Sequence, residues 1–496
     1  MTTLLSAKHQ LGAVATLIAI DRRAQMPLYR QIYDAFRTRI IHRELRPGQL
    51  VPSTRQLARE LRVSRLPVLN AYAQLLAEGY FESRVGAGTF IASSLPGDAD
   101  PRSRKTSATQ ATGLRPVSAR VSTLPQYVRP SWAAGLGPFR VGQPELGQFP
   151  LEVWSKLVAR HSRNMKLSEL QYGNAMGFEA LREAVAVYLR TSRAVLCEAD
   201  QIMIVSGSQQ GLDITTRVLL DPGVPVWVEE PGYWLVHHVL KAAGCRAVPV
   251  PVDEEGLDVS AGIKLCPNAR AAFVAPSHQY PLGVTMSATR RFQLLAWAQQ
   301  AGAWIIEDDY DSEYRYESPP ISSLQGLDTN SRVIYIGTFS KVLFPSLRLG
   351  YVVIPPDLVD RFAVVRQSMD LCPPHADQAV LTEFIREGHF ARHIRKMRQI
   401  YGERRRVLVE EIERQLRSSC TVVGGEAGIH LTILLDGRVR DSEIAAKAAE
   451  RKLGLFALSL SYVGDAPRQG FVLGFGNTQV SEIPGAVCLL KKLLEA

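Results

Sequence analysis

Two stretches decide the fold of most of this chain: Trp304-Ile305-Ile306-Glu307-Asp308-Asp309-Tyr310 and Val333-Ile334-Tyr335-Ile336-Gly337-Thr338-Phe339-Ser340-Lys341. Each begins as a short apolar run and ends in polar residues. Such runs are typical of buried parallel strands, and open α/β sheets bind ligands at the carboxyl ends of those strands. The sequence therefore predicts two strands of one sheet, with Asp308 and Lys341 facing a common crevice.

Lys341 carries the chemistry of this predicted crevice. Hydroxyl side chains precede it in Thr338-Phe339-Ser340-Lys341, Arg348 follows seven residues later, and Asp308 lies thirty-three residues before it. Pyridoxal phosphate needs such a set: an amine for a Schiff base, donors for the phosphate and a counter-charge for the pyridine nitrogen. A lone lysine is more often a solvated loop residue, and a lone aspartate a strand-end cap. The agreement of several elements favours the cofactor site.

A glycine turn supplies a second element of the predicted site. Val205-Ser206-Gly207-Ser208-Gln209-Gln210-Gly211 precedes a helical stretch predicted over 212–220. The first N–H groups of a helix have no partner within the helix, and the helix dipole favours an anion there. The turn is therefore a candidate phosphate cup, although such turns are common at helix starts.

Together these motifs make residues 131–496 similar to the fold-type I aminotransferases. The resemblance implies an α/β domain with a mixed, mostly parallel central sheet and a smaller α+β subdomain. It implies that Lys341 is the Schiff-base lysine, Asp308 the partner of the pyridine nitrogen and Tyr310 the donor to the ring phenolate oxygen. Tyr233 matches the aromatic that stacks on the ring, with a core tyrosine as the alternative. The expected cofactor-binding residues are Ser208, Gln209, Tyr233, Tyr280, Asp308, Tyr310, Thr338, Ser340, Lys341 and Arg348.

Residues 25–93 show a different organisation, a compact series of helix and turn signals. Pro27 opens an amphipathic first helix with apolar side chains at every fourth position: Leu28, Ile32, Phe36 and Ile40. Ser53 and Gln56 predict a capping box for a short second helix. A third helix is predicted between a Ser64 cap and a Gly79 stop, with these side chains inward: Val68, Ala71, Tyr72, Leu75 and Leu76. The segment 80–91 predicts a β-hairpin with a glycine tip, which completes a winged helix-turn-helix.

This N-terminal block resembles the DNA-binding domain of the GntR family. The signature consists of Pro52-Ser53, Arg55, Leu57-Ala58, Val63-Ser64-Arg65, Ala71-Tyr72, Glu78-Gly79 and Gly86-Ala87-Gly88-Thr89. Leu66 and Pro67 stand where the family often has threonines. The alternative is a small helical module that mediates protein contacts. The resemblance implies contact with phosphates, base edges or a minor groove by Arg55, Ser64, Arg65, Arg84 and the wing tip at Gly86.

Charge separates the two parts of the chain and favours the DNA-binding interpretation. Residues 1–130 hold nineteen basic and eight acidic side chains, a net of +11, whereas the whole chain carries +10. Residues 131–496 are therefore at −1. Such asymmetry is expected where a protein neutralises phosphates, and it makes affinity fall steeply with salt. We expect a double-stranded DNA operator as partner of the N-terminal part.

Composition predicts the domain boundaries. A chain of 496 residues exceeds what one core usually serves. Residues 94–130 are rich in Ser, Thr, Pro, Gly and Ala with scattered arginines, which is typical of a flexible basic linker. We expect a lead-in over 1–24, a winged helix-turn-helix over 25–93, the linker over 94–130 and an aminotransferase-like body over 131–496. The apolar segment 11–20 lacks a basic start, so we interpret it as a strand or lead-in rather than a signal peptide.

Cysteine spacing and hydropathy bear on the compartment. The six cysteines show no paired metal or redox spacing, so we expect no metal site and a reducing cytoplasm. No apolar run approaches the roughly 18 residues of a membrane span. A cytoplasmic protein without a membrane partner is therefore expected.

The combination of a GntR-type head, a long linker and an aminotransferase-like body resembles the MocR group of bacterial regulators, which includes PdxR-like proteins. The phrases Pro276-Ser277-His278-Gln279-Tyr280-Pro281-Leu282-Gly283 and Ile306-Glu307-Asp308-Asp309-Tyr310-Asp311-Ser312-Glu313 are typical of that group. The resemblance implies a transcription regulator that holds pyridoxal phosphate. It also implies a response to a small effector (the cofactor, an amino acid or an amine) and a domain-swapped, head-to-tail homodimer.

Two departures from working aminotransferases bear on catalysis. Tyr280 stands where those enzymes usually have an asparagine beside the ring oxygen. No arginine in 458–477 matches their carboxylate clamp, and Arg438 and Arg468 are interpreted as solvated loop residues. A regulator is favoured over two alternatives, a functioning aminotransferase with an appended DNA-binding domain and a cofactor-free scaffold. Partial transamination by the regulator stays open.

Overall fold

The computed structural model describes residues 18–93, 118–122, 124, 137–319, 321–436 and 439–495. It divides the chain into two compact units, residues 1–116 and 117–496. Most of the predicted lead-in strand at 11–20 lies outside the described residues, and its last three residues form no regular element. Most of the predicted linker also lies outside them, and its described part includes a one-turn helix, Ala119–Ser122.

The first unit consists of three helices and a hairpin. Their bounds are Leu28–Ile41, Thr54–Glu60 and Arg65–Ala77 for the helices, then Phe81–Arg84 (β1) and Gly88–Ile91 (β2). The two strands are antiparallel. Gly86, at the hairpin tip, has a φ of 75°, a left-handed conformation that favours glycine. The unit is the winged helix-turn-helix that the sequence predicts.

Three aromatic rings hold the core of this unit together. Phe36, Tyr72 and Phe81 meet edge to face, with centroid distances of 5.7, 5.2 and 5.0 Å. Because Tyr72 is buried, its hydroxyl needs a partner, and it donates to the Pro52 carbonyl at 2.8 Å. This bond fixes the third helix against the start of the second.

One local prediction in the head is wrong, and two are confirmed only in part. Leu76, expected inward, is 37% exposed, because the buried stripe of its helix ends at Leu75. The capping box forms only by half: Ser53 accepts from the Gln56 backbone N–H at 3.2 Å, but the Gln56 amide donates to Glu60 at 2.9 Å. Ser64 occupies the N-cap position of its helix without a side-chain capping bond.

The second unit is built around an eight-stranded sheet. Its strands are Ile202–Val205 (β3), Pro225–Glu230 (β4), Arg246–Asp253 (β5), Gly256–Leu257 (β6), Ala271–Val274 (β7), Trp304–Asp309 (β8), Val333–Thr338 (β9) and Gly350–Val353 (β10). They lie in the order β3-β10-β9-β8-β7-β4-β5-β6. Strands β4, β5, β7, β8 and β9 pair in parallel, while β10 is antiparallel to both its neighbours and β6 to β5. The predicted mixed, mostly parallel sheet is confirmed.

Both faces of this sheet are buried. Neighbouring residues of β8 belong to different cores: Ile305 packs with Trp227, and Ile306 packs with Val226. Successive strand residues point to opposite faces, so an apolar residue at each position requires cover on both sides. The helices that accompany the eight-stranded sheet are Leu151–Asn164, Glu179–Arg193, Ser208–Leu219, Trp234–Ala243, Val259–Leu265, Ala288–Ala301, Val359–Asp370 and Ala376–Arg386.

A smaller antiparallel sheet forms the α+β subdomain that the resemblance implied. Its strands Cys420–Val423 (β11), His430–Leu435 (β12), Phe456–Ala457 (β13) and Gly470–Gly474 (β14) lie in the order β11-β12-β14-β13. Three helices accompany it: His389–Leu416, Asp441–Glu450 and Ile483–Leu494. In the parts of the chain that the structure describes, no helix is both long enough and apolar enough to span a membrane.

Candidate functional site

One cavity of about 1080 Å³ lies at the carboxyl ends of β8 and β9. These strands are parallel, with Asp308 opposite Ile336. Parallel strands present their carboxyl ends at one edge, which explains why Asp308 and Lys341 reach the same cavity. All ten residues predicted to bind the cofactor line it: Ser208, Gln209, Tyr233, Tyr280, Asp308, Tyr310, Thr338, Ser340, Lys341 and Arg348.

Asp308 faces the cavity from β8. Its Oδ1 atom is buried and has no hydrogen-bond partner among the described residues. Burial, followed by the charge of Asp309, raises the pKa of Asp308 to about 7. A desolvated carboxylate without a partner is costly, so a cationic N–H donor in the cavity would be bound favourably.

Lys341 faces the same cavity from the turn after β9. Its Nζ donates to the Gly142 carbonyl at 2.9 Å. A Cβ atom at position 142 would lie 2.7 Å from that Nζ, so glycine leaves the space that the lysine occupies. Burial lowers the pKa of Lys341, although Asp311 and Asp308 oppose the shift. This environment therefore increases the fraction of the amine that is neutral and nucleophilic.

The predicted phosphate cup forms at the start of helix Ser208–Leu219. The helix begins four residues earlier than predicted, because Gly207 is its N-cap, with a φ of 80°. A Cβ atom at Gly207 would lie 2.7 Å from an Arg348 Nη atom. Arg348 donates to the Ser206 carbonyl at 2.8 Å, which holds its guanidinium beside the helix start. The Ser340 hydroxyl is buried without a described hydrogen-bond partner.

Three tyrosines, Tyr233, Tyr280 and Tyr310, line the same cavity. Tyr310 donates its hydroxyl to the His278 carbonyl at 2.8 Å. The Tyr233 and Tyr280 rings meet edge to face at 5.8 Å. Burial raises the pKa of all three phenols, so they stay protonated donors at neutral pH.

The polar groups of the cavity fit pyridoxal phosphate. A helix N-terminus and Arg348 suit the anionic phosphate of the cofactor. The unpartnered Oδ1 atom of Asp308 suits the protonated ring nitrogen, and the amine of Lys341 suits the aldehyde. Gly142 and Gly207 leave room where any side chain would collide. The individual roles of the ten residues stay predictions.

Three buried polar side chains without a predicted role lie together beside Tyr310: His278, Asp311 and His430. His278 Nδ1 lies 2.9 Å from an Asp311 carboxylate oxygen and 3.2 Å from the Tyr310 hydroxyl, and the His278 and His430 rings are 4.6 Å apart. A histidine nitrogen from each ring and an Asp311 oxygen lie within 4.8 Å of one another, close enough to share a metal ion, and the expectation of no metal site stays a prediction. Burial lowers the pKa of His430 to about 3, so this imidazole is neutral.

Arginines at the cavity also differ from expectation. Arg140, for which no role was predicted, lines the cavity together with Arg348. Arg468 is outside the lining and is not simply solvated, because it donates to the Tyr462 hydroxyl at 3.1 Å and to the Val252 carbonyl. Arg438 lies outside the described residues.

The candidate DNA-binding residues lie on the surface of the head. Arg55, Ser64, Arg65, Arg84 and Gly86 are all exposed. Arg65 Nε donates to the Thr54 hydroxyl at 3.2 Å, which brings the starts of the second and third helices together. Arg84 pairs with Glu82 at 2.6 Å and stacks over Phe90, so part of its charge is already engaged.

Comparison with known proteins agrees with both units. The family of aminotransferases class I and II matches residues 138–467, and the gntR family of bacterial regulatory proteins matches residues 28–91. The probable rhizopine catabolism regulatory protein MocR of Rhizobium meliloti is 39% identical over 460 residues, 92% of each chain. The HTH-type pyridoxine biosynthesis transcriptional regulator PdxR of Corynebacterium glutamicum is 30% identical over 93% of this chain and 94% of its own. A kynurenine aminotransferase structure from Pyrococcus horikoshii superimposes with a TM-score of 0.70 and 26% identity, over 76% of this chain and 96% of its own.

Fold and site together define a class of protein: transcription regulators in which a winged-helix head and an aminotransferase-like body share one chain. The chain belongs to the MocR type of the GntR family of bacterial transcription regulators. The predicted head, body and regulatory function are thereby confirmed.

Proposed function

We propose that this regulator binds pyridoxal phosphate in its body through Lys341. The affinity of the regulator for a double-stranded DNA operator changes when the body binds the cofactor, or an amino acid or amine that reacts with the cofactor. The observation that carries the proposal is the convergence of ten predicted cofactor residues on one cavity. Genes of vitamin B6, amino acid or amine metabolism are the proposed targets, because relatives are named for pyridoxine biosynthesis and rhizopine catabolism.

Different residues of the cavity bind different parts of the cofactor. When bound, pyridoxal phosphate supplies an aldehyde that condenses with a primary amine and a conjugated ring that absorbs light. Lys341 presents its amine, and the Gly142 carbonyl orients it at 2.9 Å. Asp308 holds a proton on the pyridine nitrogen through a charge-assisted hydrogen bond. Ser208, at the helix start, and Arg348 bind the phosphate.

The head supplies the DNA contacts. Arg55 and Arg65 lie at the starts of two adjacent helices, and the wing tip at Gly86 projects from the hairpin. In helix-turn-helix proteins the N-terminal residues of the recognition helix contact base edges in the major groove. We propose that Arg65 reads a base edge and that Arg55, Ser64 and Arg84 position the head on phosphates.

The assembly that we propose is a head-to-tail homodimer in the cytoplasm, where the operator lies. Exposed apolar side chains on the body support a protein interface: Leu167 is 84%, Leu170 68% and Tyr172 86% exposed. Isolated exposed apolar residues are common, but a cluster in one short segment marks an interaction site. Light scattering should give a dimer mass for the wild type and a shift toward monomer for Leu167→Asp.

Borohydride reduction followed by peptide mapping tests cofactor attachment. Reduction fixes the cofactor to the amine that holds it, so the peptide that contains Lys341 should gain the cofactor mass. Lys452, another lysine of the cavity lining, provides the comparison, since Lys452→Ala should leave the labelling intact. Label on a different lysine in the wild type would overturn the proposal.

A further inference from the structure

Three side chains that can bind a metal ion converge in the body, outside the cofactor cavity. They are His161, Glu169 and His375. One nitrogen of each histidine and one carboxylate oxygen of Glu169 lie within 4.8 Å of one another. None of the three residues belongs to the lining of the cavity at the carboxyl ends of the large sheet. The group is therefore separate from the proposed cofactor site.

Two helices hold the histidines of this group in place. His161 lies in the last turn of helix Leu151–Asn164, and His375 is the N-cap residue of helix Ala376–Arg386. The centroids of the two imidazole rings are 5.6 Å apart. Phe178 packs edge to face against the His375 ring at 4.4 Å, which fixes the orientation of that ring. The approach of the two imidazoles is therefore set by the packed fold.

Glu169 reaches the histidines from a short 3-10 turn, Leu167–Leu170. Its carboxylate accepts a hydrogen bond from the Lys166 backbone N–H at 3.4 Å. Partners of this kind orient a metal-binding side chain and raise the affinity of the site. The carboxylate is therefore directed before any ion binds.

The three ligand groups do not satisfy one another. Among the described residues, no hydrogen bond or ion pair joins any two of them, and the buried Nε2 atom of His161 has no hydrogen-bond partner. The group beside Tyr310 differs, because His278 Nδ1 there is already hydrogen-bonded to Asp311 at 2.9 Å. A buried polar atom without a partner costs free energy. A cation that accepts the free lone pairs would remove that cost.

We propose that His161, Glu169 and His375 bind one divalent ion of the zinc type. Two imidazoles and a carboxylate form a zinc ligand set, whereas Mg²⁺ and Ca²⁺ prefer oxygen ligands. Ligands about 2.0–2.1 Å from a tetrahedral zinc ion lie roughly 3.4 Å apart, so side-chain movements of up to about 1.5 Å close the site. The inference does not rest on the proposed function. It departs from the expectation of no metal site, which rested on cysteine spacing alone.

Calorimetry with Zn²⁺ as the probe tests the site. Full-length, cofactor-free protein without an affinity tag is treated with a chelator, dialysed and titrated with Zn²⁺ or Mg²⁺. The wild type should bind Zn²⁺ and show no binding of Mg²⁺ at the same concentrations. His161→Gln, Glu169→Gln and His375→Gln should each weaken Zn²⁺ binding by about tenfold or more, since even a partner behind a ligand is worth about 10–100-fold. Glu152→Gln, a matched loss of charge at the exposed start of the first helix, should bind Zn²⁺ like the wild type.

Absorbance of bound Co²⁺, which accepts the same ligands as Zn²⁺, shows which group holds the ion. His430→Gln removes a possible ligand from the other group, and this variant should keep the wild-type cobalt spectrum and Zn²⁺ affinity. Loss of the ion from His430→Gln would overturn the inference. So would absence of Zn²⁺ binding by the wild type, or wild-type affinity in any of the three ligand variants. Circular dichroism checks the fold of each variant, and Glu169→Gln, on a surface turn, decides the outcome if a histidine variant does not fold.

Discussion

Asp308 and Asp309 are neighbours in β8, yet their carboxylates serve opposite faces of the sheet. Asp308 lines the cavity, whereas Asp309 forms a buried ion pair with Arg193 at 2.9 Å. Asp309 also accepts a hydrogen bond from the Tyr335 hydroxyl. Strand geometry sends successive side chains to opposite sides. One strand therefore supplies a ligand-facing carboxylate and a structural one, and the two can be separated by mutation.

Asp308→Asn should weaken retention of pyridoxal phosphate and shift its absorbance, because an amide cannot hold the ring proton through a charged hydrogen bond. Dialysis against buffer, followed by absorbance, measures the loss. Operator affinity measured without the cofactor should match that of the wild type, because the DNA-binding head is unchanged. If the variant keeps the wild-type affinity for pyridoxal phosphate and the wild-type absorbance spectrum, the role assigned to Asp308 is wrong.

Asp309→Asn should affect stability instead of cofactor binding. Loss of the charge leaves Arg193 buried with a weaker partner, and breaking a buried pair typically costs about 3–5 kcal/mol. Chemical denaturation should therefore show a lower free energy of unfolding for Asp309→Asn than for Asp308→Asn. Equal stability of the two variants would contradict the separation of roles.

The pH dependence of stability should also identify Asp308. In the cofactor-free protein its pKa is raised to about 7, against about 3.9 in an unfolded chain. Between these values the folded state binds a proton that the unfolded state lacks, so this group's contribution to stability is lost as pH rises. The Tm of Asp308→Asn minus that of the wild type should grow from pH 4 to pH 7 and then level off. A difference that is flat or falls over that interval would refute the raised pKa.

Arg55→Ala and Arg65→Ala should each weaken operator binding, by about 1–3 kcal/mol where a base-edge pair is lost. Fluorescence anisotropy with operator DNA at physiological salt measures the change, and the cofactor spectrum should not move. Arg217, which pairs with Asp213 on the body, offers a control whose replacement by alanine should leave DNA affinity intact. Wild-type affinity for Arg65→Ala would show that the recognition helix is misassigned.

The body should bind amino acids without sustained turnover. Binding an effector requires affinity alone, whereas transamination requires a substrate held in a reactive geometry, and Tyr280 and Arg468 depart from the residues that provide it. The rate of keto acid formation under multiple-turnover conditions should stay well below about 1 per second, a rate that ordinary enzymes reach. Sustained production at or above that rate would establish an aminotransferase with an appended head.

Local patterns explain why much of the site was predictable. Asp308 and Lys341 end or follow apolar runs, and such runs form buried strands wherever they lie in a parallel sheet. The sequence predicts a helix from 212, after the glycine turn that spans 205–211, whereas in the structure Gly207 caps a helix that begins at Ser208. The helix start is therefore set by a backbone conformation, which a residue pattern reports poorly.

The unpredicted parts of the site depend on contacts between distant segments. Gly142 meets Lys341 across 199 residues, and Arg140 reaches the cavity from a segment with no periodic signal. His278 lies in the connection after β7 of the eight-stranded sheet, and His430 begins β12 of the four-stranded sheet, yet their rings are 4.6 Å apart. Sequence spacing carries no information on such pairings until the topology is known.

Operator affinity with and without pyridoxal phosphate, measured for the wild type and for Lys341→Ala, tests the central claim most directly. A DNA fragment that the wild-type protein selects from a random pool serves as the operator, and salt is held fixed because phosphate contacts make affinity salt-dependent. We predict that pyridoxal phosphate changes the operator affinity or the DNA bend of the wild type and changes neither for Lys341→Ala. A ligand shifts the equilibrium between two conformations only if it binds them with different affinities. An identical response of the two proteins, or no response by the wild type to the cofactor and to every amino acid tested with it, would contradict this prediction.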